Sequence, residues 1–313
     1  MSLEEGAETV INQCMDVKPD ETVLILDDGN DDGIVKALKN EAEKKAGIVA
    51  VKEYEEPENH GEEPPQEVAD AMKDFDVVIA PTSKSISHTD ARREACETGS
   101  RIASMPTINR EIWNSSLLAD YERVAEISEK VYSMLEDTDQ VKIKTPSGTE
   151  LEFSVNIDHY HTDTGLITDP GNFGNLPAGE ADGGITDAEG TLVIDHFPFA
   201  ESGTEVEIKD NKVVAVKEDS SSELSEAFEN IENSRTVAEF GFGTNPEATL
   251  IGNVLQDEKV LGTVHIAFGD NTSYIDGDKE NPCDIHWDTV CESPTVWFDG
   301  EKVLDKGEPV FLS

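Results

Sequence analysis

Four short segments of the sequence carry ionisable side chains where apolar ones are the rule. In RTVAEFGFG (residues 235–243), strand alternation puts Ala238, Phe240 and Phe242 on one side and Val237, Glu239 and Gly241 on the other. Glu239 therefore sits inside an apolar strand, beside glycines that leave room at its carboxylate. GTVHIAFGDN (262–271) repeats the arrangement: Val264, Ile266 and Phe268 form a packing face, and His265 lies opposite, between Thr263 and Ala267. In Ile285–His286–Trp287–Asp288 an imidazole and a carboxylate share one face of an extended chain. Glu180 ends NLPAGE (175–180), a turn shaped by Pro177 and Gly179. Two histidines and three carboxylates beside small residues are the donor set of a divalent-cation site. Carboxylates neutralise the charge, and neutral imidazole supplies nitrogen ligands suited to Zn, Co, Mn or Fe. Each segment alone has a plainer reading, as a hydrogen-bonded strand histidine or a solvated acid, so the metal reading rests on their combination.

Other candidates are weaker. His88, in Ser87–His88–Thr89, is an acid/base candidate if its turn overhangs a cleft, and otherwise a helix N-terminal residue. Arg92 and Arg93 stand out because the chain has six arginines; one could clamp a substrate carboxylate, or simply pair with an abundant Glu. His159 and His161 share a face in HYH, in what reads as loop beside Asp158 and Asp163, and are set aside. His60 lies in an acidic loop, and His196 is left unassigned. GFGTNP (241–246) lacks the third glycine of a dinucleotide loop, and there is no Gly-x-Ser-x-Gly elbow.

These segments must be positioned by a folded chain, and the composition supports one. Against 24 Lys+Arg stand 68 Asp+Glu, a formal net charge of −44. Yet Leu, Ile, Val and Phe make 75 of 313 residues, above the roughly 20% below which a highly charged chain stays unfolded. Val and Ile outnumber Leu by 47 to 17, so much of the core is expected to be strand. The charge argues against nucleic acid and anionic membrane surfaces as partners. Spread along the whole chain, it resembles the proteins of salt-in halophiles, whose carboxylates hold hydrated cations in a high-salt cytoplasm; a haloarchaeal source and a cytoplasmic location are the expectation. No apolar run approaches the roughly 18 residues of a spanning helix, and the acidic start is unlike a signal peptide. Cys14, Cys96, Cys283 and Cys291 lack CxxC spacing and read as reduced.

Residues 1–138 alternate short apolar runs with helical patterns. Strands are expected at Glu21–Asp28, Gly47–Glu53, Phe75–Thr82 and Arg101–Met105, and helices at Asp31–Lys45, Pro65–Lys73, Asp90–Thr98 and Leu117–Leu135. That alternation predicts a doubly wound parallel sheet, a Rossmann-like or flavodoxin-like α/β domain. Residues 139–313 read as an α+β domain on mixed or antiparallel sheet, with helices near Ser222–Ile231 and Pro246–Gln256.

Taken in order, NLPAGE, EGTLVI, AEFGFGTNP, GTVHIAFGDN and HWD resemble the motifs of the aminopeptidase T/aminopeptidase S family of metallo-aminopeptidases, in its archaeal leucyl aminopeptidase form. The resemblance covers most of residues 165–295 and extends more faintly to SISHTDARREACETGSRIASMP (85–106). It implies a homodimer and a pair of divalent metals (Zn, Co or Mn) held by Glu180, Glu239, His265, His286 and Asp288. The family's tyrosine ligand lies seven residues after the first histidine; here that position is Thr272, and Tyr274, two residues on, would need a shifted loop.

The activity so implied is release of N-terminal residues from short peptides by a metal-activated water, with Glu180 or Glu239 shuttling the proton to the leaving amine. The same superfamily resembles the ferrous 2,5-dihydroxypyridine 5,6-dioxygenases, which open an aromatic ring at a single iron. His265, His286 and Asp288 would supply that two-histidine, one-carboxylate set, and the missing tyrosine would not matter. A third reading is a non-catalytic cation-binding or scaffold protein.

Overall fold

The computed structural model describes residues 2–217 and 223–312. The chain divides into two compact units, Met1–Ala125 with Asp163–Ala178, and Glu126–Thr162 with Gly179–Ser313.

In the first unit, α1 (Leu3–Glu8) runs on into a wider-turned stretch, Thr9–Cys14. Then follow β1 (Thr22–Asp27), α2 (Asp32–Ala42), β2 (Ile48–Glu53), α3 (Gln66–Lys73), β3 (Val77–Ala80), α4 (Asp90–Glu97), β4 (Arg101–Ser104), α5 (Arg110–Trp113) and α6 (Tyr121–Glu136), which continues into the second unit. Helix starts follow capping chemistry: Asp31 accepts from the Gly33 and Ile34 amides, and Thr89 from Arg92. Leu24, Leu26, Val78, Ala80 and Ile102 pack with Val68, Met72, Ala91 and Ala95 of the helices.

The second unit begins its sheets with β5 (Gln140–Lys144), β6 (Glu150–Ser154) and β7 (Tyr160–Asp163). The chain then returns to the first unit to add β8 (Phe173–Asn175) parallel to β4, which completes a sheet of order β2-β1-β3-β4-β8. The remaining strands are β9 (Glu180–Gly184), β10 (Glu189–Val193), β11 (Glu205–Lys209), β12 (Lys212–Lys217), β13 (Val237–Gly243), β14 (Val264–Gly269), β15 (His286–Cys291), β16 (Thr295–Phe298), β17 (Glu301–Asp305) and β18 (Glu308–Pro309). They form an eight-stranded sheet, β12-β11-β10-β6-β5-β16-β17-β18, and a five-stranded sheet, β15-β14-β13-β9-β7. One apolar core joins them: Val141, Ile143, Leu151 and Phe153 of the larger sheet meet Phe240, Phe242, Val264, Ile266 and Phe268 of the smaller. The Phe153 and Phe240 rings lie 5.1 Å apart. The other face of the small sheet is left for polar groups.

The mixed α/β class with parallel and antiparallel sheets is as the sequence predicts. Four details differ. The division is not a single break near residue 138, because β8 returns to the parallel sheet. Helix α1 and the turn stretch after it precede the first expected element. HYH is not loop: its last two residues open β7. The helix expected over Pro246–Gln256 shrinks to α8 (Val254–Asp257), because side chains satisfy the preceding backbone. Asp257 accepts from the Ile251 and Gly252 amides, and Gln256 donates to the Thr249 carbonyl. The helix near 222–231 is α7 (Glu223–Asn230), and Ser222 lies outside the described residues. No disulfide links the four cysteines. Among the described residues no helix is long and apolar enough to cross a membrane.

Candidate metal centre

Residues directly opposite in antiparallel strands share a face, so the ladder register assembles the site. Gly243 of β13 faces Glu180, Gly241 faces Asp182 and His265, and Glu239 faces Gly184 and Ala267. On β14, Ala267 faces Asp288 and Gly269 faces His286. Four strands thus deliver Glu180, Asp182, Glu239, His265, His286 and Asp288 to one surface. The small residues between them make the room. A Cβ on Gly184 would come 2.6 Å from Ile275, and one on Gly243 would meet the Val260 carbonyl oxygen at 2.2 Å.

Distances bear this out. His265 Nε2 lies 3.1 Å from Glu239 Oε1 and 3.7 Å from Glu180 Oε2. His286 Nε2 lies 2.8 Å from Glu239 Oε2 and 3.5 Å from Asp288 Oδ1. His286 Nδ1 donates to the Asp270 carbonyl at 2.7 Å, which fixes the ring and aims Nε2 at the carboxylates. The five residues proposed from sequence therefore converge. The whole cluster comes from the second unit. His88 belongs to the first, where it stands exposed on the turn leading into α4.

Asp182 and Lys259 were not singled out in the sequence. Asp182, 2% exposed, follows Glu180 by two residues and so shares its face. The Tyr274 hydroxyl donates to Asp182 Oδ2 at 2.9 Å, and its ring stacks on His161. His161, set aside earlier, also lies 3.4 Å from Asp182 Oδ2. Lys259 is buried and ion-paired with Glu180 and Glu258. Trp287 points away from the two side chains that flank it, against Phe197 and Phe199.

Crowded charge displaces the ionisation equilibria. Burial pushes the His265 imidazolium towards losing its proton, but Glu239, Glu180 and Asp288 outweigh burial and raise its pKa to about 10. His286 is likewise raised, against burial, by Asp288 and Glu239. Glu239 is held well below the usual range despite burial, because both imidazoles hydrogen-bond to it. Asp182 is pushed up by burial and then by Glu239; Tyr274 rises for the same two reasons.

The donors fit a divalent metal. Glu239, His265 and Asp288 each offer a ligand atom within 4.8 Å of the others. Asp288 Oδ1 and His265 Nδ1 are buried without a hydrogen-bond partner among the described residues, a cost that coordination would remove. Since imidazole binds metal only when neutral, uptake would release protons.

The family model described as NicX, 2,5-dihydroxypyridine 5,6-dioxygenase, matches residues 3–311. The structure of 2,5-dihydroxypyridine dioxygenase from Pseudomonas putida KT2440 is similar at TM-score 0.78 and 18% identity, over 99% of this chain and 98% of that one. Wild-type AmpT from Thermus thermophilus is similar at TM-score 0.70 and 18% identity, over 98% of each chain. No curated protein matches. At such identities the two structures establish the shared fold, and the aminopeptidase T resemblance holds at that level. The match over nearly the whole length decides the family: the chain belongs to the NicX, 2,5-dihydroxypyridine 5,6-dioxygenase, family.

Proposed function

We propose that the protein is a mononuclear, metal-dependent dioxygenase that opens a hydroxylated aromatic ring. One observation carries the reading: His265 on β14 and the His286–Asp288 pair on β15 lie on the same face of two paired strands, with His286 oriented by the Asp270 carbonyl. Two histidines and one carboxylate are the set that leaves positions open on ferrous iron. When bound there, Fe(II) supplies the positions at which a ring substrate and dioxygen are brought together. The protein's own contribution is orientation and charge. His265, His286 and Asp288 would hold the ion; the Glu239 carboxylate lies 3.1 Å from His265 Nε2 and 2.8 Å from His286 Nε2, and the Asp270 carbonyl fixes the His286 ring.

A second reading is a metallo-aminopeptidase acting on short peptides with Zn, Co or Mn. It is favoured by Glu180, Glu239 and Tyr274 gathering around the same histidines, which supplies donors for a second metal. The shared expectations are a small-molecule substrate, a homodimer and a high-salt cytoplasm.

The test is an oxygen-electrode assay. Protein reconstituted anaerobically with Fe(II) in molar KCl is expected to consume dioxygen with 2,5-dihydroxypyridine and bleach the ring absorbance. Absence of oxygen uptake, together with release of leucine from leucyl peptides on addition of Co(II), would replace this reading with the second.

A further inference from the structure

Lys259 is the only buried lysine among the described residues, 1% exposed, and it lies at the rim of the metal centre. Its ammonium pairs with Glu180 Oε1 and lies 2.7 Å from Glu258 Oε1. Neither partner is there by chance of side-chain packing. The Asn245 amide donates to the Lys259 carbonyl, and the neighbouring Thr244 amide donates to the Gly179 carbonyl, both at 2.8 Å. The extension of β13 therefore pins the lysine and the residue before Glu180 to the same two backbone positions. A buried ammonium is tolerated only where opposite charge and hydrogen-bond acceptors meet it, and here Glu180 supplies the charge and Glu258 a further oxygen.

Glu180 is consequently engaged by a cation that the chain itself carries. Its Oε1 is taken up by that pair, while Oε2 lies 3.7 Å from His265 Nε2. We propose that Lys259 takes the place of a second divalent cation: it neutralises Glu180, withholds it from coordination, and limits the centre to one metal. This deepens the single-metal reading above and rests on it. Lys259 is a positioning residue, since it acts on the metal through Glu180. A fixed ammonium offers no open coordination position, so a centre built this way cannot hold a substrate amine and an activated water on two metals.

The experiment counts metal in the full-length chain. Metal-free protein is loaded anaerobically with Fe(II) or Co(II) in molar KCl, which screens uptake by the acidic surface, then desalted and analysed by mass spectrometry for metal per chain. Wild type and K259R, which keeps the cation, are expected to hold one metal. K259Q is expected to hold two, and K259Q/E180Q to return to one. K259Q remaining at one metal overturns the proposal. Should K259Q fail to fold, E180Q alone decides: Co(II) affinity within about threefold of wild type supports the proposal, and a loss of tenfold or more, the scale of a broken ligand sphere, overturns it. The functional reading fails separately. A one-to-two change without oxygen uptake removes the dioxygenase and leaves the role of Lys259 standing, whereas oxygen uptake with K259Q at one metal does the reverse.

Discussion

Gly241 and His265 are cross-strand partners set so closely that a Cβ on the glycine would stand 1.9 Å from Cε1 of the imidazole. The histidine lies over the bare backbone of β13, and that position brings its Nε2 to Glu239, two residues along the same strand. Gly241→Ala must tilt the ring away from the carboxylates. Metal affinity is expected to fall about 10- to 100-fold, the range for disturbed ligand orientation, with about 1–3 kcal/mol of stability lost to overpacking. Calorimetric titration of Co(II) and chemical denaturation measure the two effects.

Asp288→Asn keeps the volume of the side chain and removes the charge that His286 faces at 3.5 Å. Metal affinity and turnover are expected to drop at least about 100-fold. His196→Ala is the control: that ring pairs with Glu292 at 3.0 Å and is expected to leave both unchanged. Equal loss in the two variants would show that the fold, and not the site, had been damaged.

Tyr274 separates the two enzymatic readings. Tyr274→Phe removes the hydrogen bond to Asp182 and should cost about 1–3 kcal/mol, because a buried carboxylate loses its donor. With one metal at His265, His286 and Asp288, metal content stays unchanged. Loss of one metal from a pair would instead make the tyrosine a ligand, as in the aminopeptidase reading.

The pH dependence of the chelated protein follows from the raised histidines. His265 titrates near 10 in the folded chain against an ordinary 6.5, so its stabilisation is complete below pH 6.5 and disappears as pH rises to about 10. Glu258, pushed up to about 8 by burial with Asp288 and Glu180 nearby, adds to the same trend. The melting temperature of the metal-free protein is expected to fall between pH 6.5 and 10. Bound metal replaces the imidazole protons, so metal affinity rises over that interval and the fall flattens. Differential scanning calorimetry with EDTA and with Co(II) checks both signs.

A net charge of −44 repels itself at low ionic strength. Thermal stability is expected to rise from 0.05 to 2 M KCl, as the screening length shortens from more than 10 Å to below about 3 Å. A melting temperature indifferent to salt would remove the halophilic reading.

Much of the centre was legible because strand alternation is a strong rule. Glu239 and His265 break apolar strands, and His286 and Asp288 share a face by spacing, so their convergence follows once β13, β14 and β15 pair. Asp182 was hidden by composition: among 68 acidic residues another carboxylate carries little information, although its spacing from Glu180 held the signal. Lys259 follows the single turn of α8, where no periodicity reveals burial. Its rarity was the available clue, since cations are scarce in this chain. Tyr274 depended on a loop conformation that spacing cannot supply. In the parallel sheet, strand–helix alternation located β1 to β4, while β8 escaped because its three residues arrive after a passage through the other unit.

The central claim is a single ion held by His265, His286 and Asp288. Anomalous diffraction at the iron edge, from crystals grown and loaded with Fe(II) without oxygen, tests it directly. One peak within coordination distance of those three side chains, with Lys259 still on Glu180, is the expected result. Two peaks, the second coordinated by Glu180, would contradict it.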